Sequence, residues 1–258
     1  MRATERPRVK ICCISTKHEA RMAIKHGAAA LGLVSAMPSG PGVISEVQIA
    51  EIAGTVPPPI ATFLLTSSQD AESIIAQQRR CRTGTIQIVD RLLRGNYEDL
   101  RRALPGVSIV QVVHVNGPES IGEAVAVAEH VDAVLLDSGN PTSATKELGG
   151  TGRKHDWALS REIREQIDIP VFLAGGLNSE NVRRAIRESA RSHSTFALAF
   201  AAKASLTKIN CAHFCKSKFC LIESKKNHRI VCPGFTMAHA LAVRGRDTLH
   251  NAQEKVAF

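Results

Sequence analysis

A chain of 258 residues with 44% hydrophobic content can bury one large α/β core or two small ones, and its apolar runs are far too short to cross a bilayer. The opening MRATERPRVK lacks the apolar stretch of a secretory signal, and seven cysteines without regular spacing do not read as a disulfide framework, so a cytoplasmic protein with free thiols is expected. The formal charge of +9 is concentrated: residues 190–258 carry 11 Lys and Arg against 3 acidic residues, leaving 22 against 21 elsewhere, so the body of the chain gives no reason to expect nucleic acid or a membrane as a partner.

From residue 8 to about 189, short apolar runs alternate with helical patterns. In chain order the strand-like runs are VKICCI (9–14), ALGLVS (30–35), IATFLL (60–65), TIQIVD (85–90), SIVQVVHV (108–115), AVLLDS (133–138) and PVFLAGG (170–176). Between them lie stretches such as KHEARMAIKHG and SSQDAESIIAQQRRC, with apolar residues three or four apart. Gly27 follows the first helix, Ser45 with Gln48 spells a capping box, and Asn178 stands as an N-cap before the last. Near-continuous apolar strands joined by helices belong to a parallel sheet covered on both faces. Seven such units predict an α/β fold of the (β/α)8 TIM-barrel type, with an open doubly wound sheet as the structural alternative. No G-x-G-x-x-G follows the first strand, which weakens a dinucleotide-binding reading.

After Ser189 the pattern fails. TFALAF (195–200) can supply an eighth strand, but its unit is irregular, so the barrel is expected over residues 8–205 and a poorly ordered basic tail over 206–258. The tail's Cys211, His213, Cys215, Cys220, His228 and Cys232 contain no C-x2-C pair, so no metal site is expected there. Its gain of Cys, His and Lys with loss of acid is what a different reading frame produces.

Active sites of such barrels sit at the carboxyl ends of the strands, which selects Cys12 or Cys13, Asp90, His114, Asp137 and the glycines after the seventh strand. Cys12 and Cys13 are adjacent, so regular strand alternation lets at most one of them face the site. Asp137 closes an apolar run, where a carboxylate is costly to bury without a role. Two loops, ELGGTGRKHDW (147–157) and LAGGLNSENV (173–182), carry glycines that let backbone amides approach an anion ahead of a helix N-terminus. Gly149, Gly150, Thr151 and Gly152 in the first, with Ala174, Gly175 and Gly176 in the second, are therefore candidate phosphate ligands, and a small phosphorylated molecule is the expected partner.

VKICCIS resembles the K-I-C-G-I-T opening of the phosphoribosylanthranilate isomerases of tryptophan biosynthesis. VLLDS…LGGTGRKHDW resembles their L-L-D…G-G-T-G-x-x-F-D-W segment, and PVFLAGGLNSENVRRAI is similar to their seventh strand and following helix. The resemblance spans about residues 8–188. It implies a barrel enzyme, monomer or homodimer, that needs no cofactor and performs an Amadori rearrangement of N-(5-phosphoribosyl)anthranilate, with Cys12 as general base and Asp137 as general acid. Another aminated sugar phosphate as substrate, or an inactive phosphometabolite-binding relative, are the alternatives. Against the family pattern, Cys13 stands for a glycine, Gly42 for an arginine expected to hold the anthranilate carboxylate, and Asp90 for another glycine. The eighth-strand segment D-V-S-S-G-V-E has no counterpart after Arg187.

Overall fold

The computed structural model describes residues 8–140, 147–148, 153–189 and 196–201. Strands and helices alternate as β1 (Arg8–Cys12), α1 (Lys17–Lys25), β2 (Ala30–Val34), α2 (Glu46–Ala53), β3 (Ala61–Thr66), α3 (Ala71–Cys81), β4 (Thr85–Ile88) and α4 (Tyr97–Ala103). The order continues through β5 (Ser108–His114), α5 (Glu119–Ala128), β6 (Ala133–Asp137), α6 (Trp157–Gln166), β7 (Val171–Leu173), α7 (Val182–Ser189) and β8 (Phe196–Ala201). All neighbouring strands are parallel and the sheet closes in chain order, so the fold is the expected (β/α)8 barrel and not an open sheet.

Closure depends on β8. Its backbone pairs with β1 from Arg8↔Ala197 to Cys12↔Ala201 and with β7 from Val171↔Phe196 to Leu173↔Leu198. The strand lies one residue later than the sequence pattern places it. The tail from 206 to 258, and with it every expectation about its order or metal binding, lies outside the described residues.

Side-chain caps fix where the helices begin. Thr16 accepts from the Glu19 amide, Asp70 from that of Ser73, and the predicted capping box of Ser45 and Gln48 forms, as does a second one between Asn96 and Asp99. Gly27 takes a left-handed φ of +87° just after α1, the conformation that ends helices. Asn178 Oδ1 accepts from the amides of Glu180 and Asn181 and so starts the turn that runs into α7.

Two apolar layers follow from strand alternation. Outward residues such as Val9, Ile11, Leu31, Leu64, Ile86, Ile88, Val134 and Leu198 pack under the helices, while Phe63, Leu65, Val110, Val112, Ala133, Leu135 and Ala199 fill the barrel interior. Each fully buried Leu or Ile contributes about 1.5–3 kcal/mol, so the outer layer supplies most of the stabilisation and the narrow inner one sets what the carboxyl mouth can hold.

Candidate active site

β1 delivers two polar side chains to the interior, since Lys10 and Cys12 share its inward parity. Gly32 on the adjacent strand leaves the thiol room: a Cβ there would stand 2.9 Å from Cys12 Sγ. Cys13 does not continue the strand. Its φ of +62° breaks the alternation, so both cysteines pack against the interior cluster, and the expectation that only one faces the site is corrected by that left-handed turn. The Ile14 amide donates to the Gly32 carbonyl at 3.2 Å, and the Ser15 amide and hydroxyl both donate to Glu19 at 2.7 Å, which anchors the turn to α1. Burial pushes the Cys13 thiol up to about 12, with the neighbouring Cys12 adding to the effect and Lys10 opposing it. Cys13 is a neutral thiol at physiological pH.

Asp137 ends β6 in register with His114 on β5. Part of the residue is open to the mouth, yet the surrounding protein desolvates its carboxyl and raises its pKa above the ordinary carboxylate value. The Ser138 amide, donating to Oδ1 at 2.7 Å, and the charges of His114 and Lys10 act against that rise without cancelling it. His114 Nε2 lies 3.0 Å from the Val89 carbonyl, while its Nδ1 has no partner among the described residues. Asp90 sits two residues beyond β4, buried, with Oδ1 accepting from the Arg91 amide at 2.8 Å and its carbonyl accepting from Gln111. That position shapes the turn after β4.

The second glycine loop lies directly against the carboxyl. The Ala174 amide donates to the Leu136 carbonyl at 2.8 Å, and Gly175 and Gly176 then take φ of +78° and +57°. A Cβ on Gly175 would stand 2.9 Å from Ser138 Oγ, 3.1 Å from Asp137 Oδ1 and 3.1 Å from His155 Nδ1, so both conformation and space require glycine there. Asn181 ties the loop to α7 by donating to the Gly176 carbonyl at 2.8 Å. Gly149, Gly150, Thr151 and Gly152 lie outside the described residues.

Two residues of this mouth escaped the sequence reading. Lys10 is fully buried; it donates to Gln87 Oε1 and its Nζ lies 4.4 Å from the Phe63 ring centroid. A lysine inside an apolar strand, at the inward parity of the candidate base, was the available signal. His155 replaces the phenylalanine of the F-D-W segment, and its Nε2 is 2.6 Å from Ser160 Oγ while Nδ1 has no partner among the described residues. Burial lowers its pKa to about 4, with the Asp156 charge opposing the shift, so its imidazole is neutral.

A thiol and a desolvated carboxyl at the carboxyl mouth of a closed (β/α)8 barrel define an enzyme of the acid–base class. The sequence model of the N-(5'phosphoribosyl)anthranilate (PRA) isomerase family matches residues 9–195, and the chain belongs to this family. It is 34% identical over 181 residues to N-(5'-phosphoribosyl)anthranilate isomerase 2 of Methanosarcina mazei, covering 70% of this chain and 79% of that one. It is 32% identical over 184 residues to the isomerase of Methanocella arvoryzae, covering 71% and 84%. Among solved structures, phosphoribosyl anthranilate isomerase from Thermotoga maritima superposes with a TM-score of 0.67 at 25% identity, covering 83% of this chain and 100% of that one. The isomerase from Thermus thermophilus gives 0.68 at 21%, covering 83% and 99%.

Proposed function

We propose that this chain isomerises N-(5-phosphoribosyl)anthranilate to 1-(2-carboxyphenylamino)-1-deoxyribulose 5-phosphate in tryptophan biosynthesis, with Asp137 as general acid and Cys12 as general base, in the cytoplasm. The observation that carries the assignment is the inward placement of both groups at the carboxyl ends of β1 and β6, one of them a carboxyl whose pKa burial raises.

Asp137 protonates the furanose ring oxygen, and the C1–O bond breaks to give an open-chain iminium. Cys12, as thiolate, removes the C2 proton; the electron pair of that C–H bond forms the C1–C2 double bond and the iminium nitrogen recovers its lone pair. The enolamine then becomes the ketone: the thiol returns a proton to C1 and the Asp137 carboxylate takes the proton of the C2 hydroxyl. Both groups end as they began, and the substrate nitrogen is the electron sink. The loops 149–152 and 174–176 hold the phosphate, the second ahead of the α7 N-terminus.

Purified protein supplied with N-(5-phosphoribosyl)anthranilate should form the ketose, and Cys12→Ser should lower kcat by about 10²–10⁴. Cys13→Gly should retain activity, because the Cys13 thiol is protonated. Equal losses in the two variants would overturn the choice of Cys12.

A further inference from the structure

Lys10 lies fully buried inside the barrel, two residues before Cys12 on the same face of β1. Its ammonium donates to Gln87 Oε1 and sits over the ring of Phe63, with the Phe172 ring centroid at 6.0 Å. These partners are dipoles and π faces. Among the described residues no carboxylate comes within ion-pair distance of Nζ, and a buried ammonium without an anion is costly. Burial accordingly lowers the Lys10 pKa, and the groups that act the other way are Cys12 first, then Cys13 and Asp137.

The titratable groups around this cation are few. Cys12 comes from β1, Cys13 from the turn just after it and Asp137 from β6; His114 on β5 faces Asp137, and Glu19 on α1 acts on Cys13. Cys13 is protonated and Asp137 must begin as an acid to open the sugar ring. The sulfur of Cys12, the base of the proposed reaction, is the group left to partner the ammonium.

We propose that Lys10 is a positioning residue that holds Cys12 as its thiolate, the two sharing one proton that resides on the amine. The same ammonium serves the second half of the proton exchange. When Asp137 gives its proton to the ring oxygen and Cys12 takes one from C2, the negative charge passes from sulfur to carboxylate, and the charge of Lys10 acts on both groups. The cation therefore stays fixed while the anion changes place, so no charge is left uncompensated in the interior.

This inference rests on Cys12 being the base, and the test separates the two. In a Cys13→Gly background, alkylation of Cys12 by iodoacetamide is followed from pH 6 to 9 by peptide mass spectrometry, with Cys12→Ser as the unlabelled control. With Lys10 present, alkylation at pH 7 should be fast and nearly independent of pH. In Lys10→Met the rate at pH 7 should fall about tenfold and climb towards pH 9, because an ordinary thiol is mostly protonated at neutrality although its thiolate is intrinsically more nucleophilic. Replacing a buried ion by an apolar group of similar volume is often neutral for stability, so Lys10→Met should keep its thermal midpoint. Lys10→Gln is the second neutral variant, and Lys10→Arg should preserve fast alkylation. Unchanged alkylation in Lys10→Met, or slow and steeply pH-dependent alkylation while Lys10 is in place, would overturn the proposal. An active Cys12→Ser enzyme would instead remove the base assignment, whatever the alkylation rates.

Discussion

Cys13 and Gly42 occupy one another's space: a Cβ built on Gly42 would stand 2.5 Å from the Cβ of Cys13 and 2.8 Å from its Cα. The loop between β2 and α2 thus crosses the end of β1 with only a glycine at the crossing. Two departures from the family pattern that look independent in the sequence are a matched pair in the structure. A side chain at 42 is excluded by the side chain at 13.

The pair should show strong non-additivity. Gly42→Ala must hold a side chain at φ +82° and displace Cys13, which should cost about 2–3 kcal/mol in urea unfolding. In a Cys13→Gly background the same substitution should cost about 1 kcal/mol less, since the overlap with the side chain at 13 is gone while the overlap with the backbone there remains. Equal costs in the two backgrounds would mean that the loop moves freely off β1.

Asp137→Asn separates catalysis from stability. The folded carboxyl has its pKa raised by burial, so between 3.8 and the folded value the native state binds more protons than the unfolded chain, and stability falls as pH rises through that window. Asparagine keeps an oxygen for the Ser138 amide and carries no charge. The variant should lose activity by about 10²–10⁴. It should also be more stable than the parent at pH 7 in urea titrations, with the difference shrinking as pH is lowered towards 4.

The barrel was legible because the strands are largely apolar on both faces and α1, α2, α3, α4 and α6 each begin at a side-chain cap. Ser45, Gln48, Gly27 and Asn178 mark boundaries by local chemistry that survives folding unchanged. That a cysteine pair, Cys12 and Cys13, and Asp137 stand at the carboxyl ends of β1 and β6 was legible for a similar reason, since apolar runs end there; the choice of Cys12 came from the family resemblance. The face of Cys13 was not, since alternation assumes extended backbone and the chain turns left-handed at that residue. Lys10 and His155 were missed because their surroundings come from elements distant in sequence, Gln87 and Phe63 for one and the Gly175 loop for the other.

His155 should make the fold acid-labile. Its pKa is depressed from 6.5 to about 4 by burial, so the unfolded chain takes up a proton that the native state refuses, and stability present above pH 6.5 is lost as pH falls towards 4. Between pH 7.5 and 5 this one group accounts for about 2 kcal/mol. His155→Phe should flatten the pH dependence of unfolding free energy by that amount over the same interval. An unchanged slope would place the imidazole in solvent.

The eighth strand should decide whether the barrel folds. Leu198 is 1% exposed in the outer core and Ala199 fills the interior, while the β8 backbone satisfies the edges of both β1 and β7. A chain ended after Ser189 would present two unpaired parallel edges together with the apolar surface beneath them, a state prone to edge-to-edge association. It should lack a cooperative thermal transition and should aggregate. If the barrel is complete within residues 8–205, a chain ended after Ser205 should keep a cooperative transition and its near-ultraviolet circular dichroism. Leu198→Ala in the full chain offers a graded version, with an expected loss of about 2–5 kcal/mol in urea unfolding. A folded, monomeric 1–189 fragment would show that seven strands hold the barrel without β8, whereas failure of both fragments would show that residues beyond 205 are needed for folding.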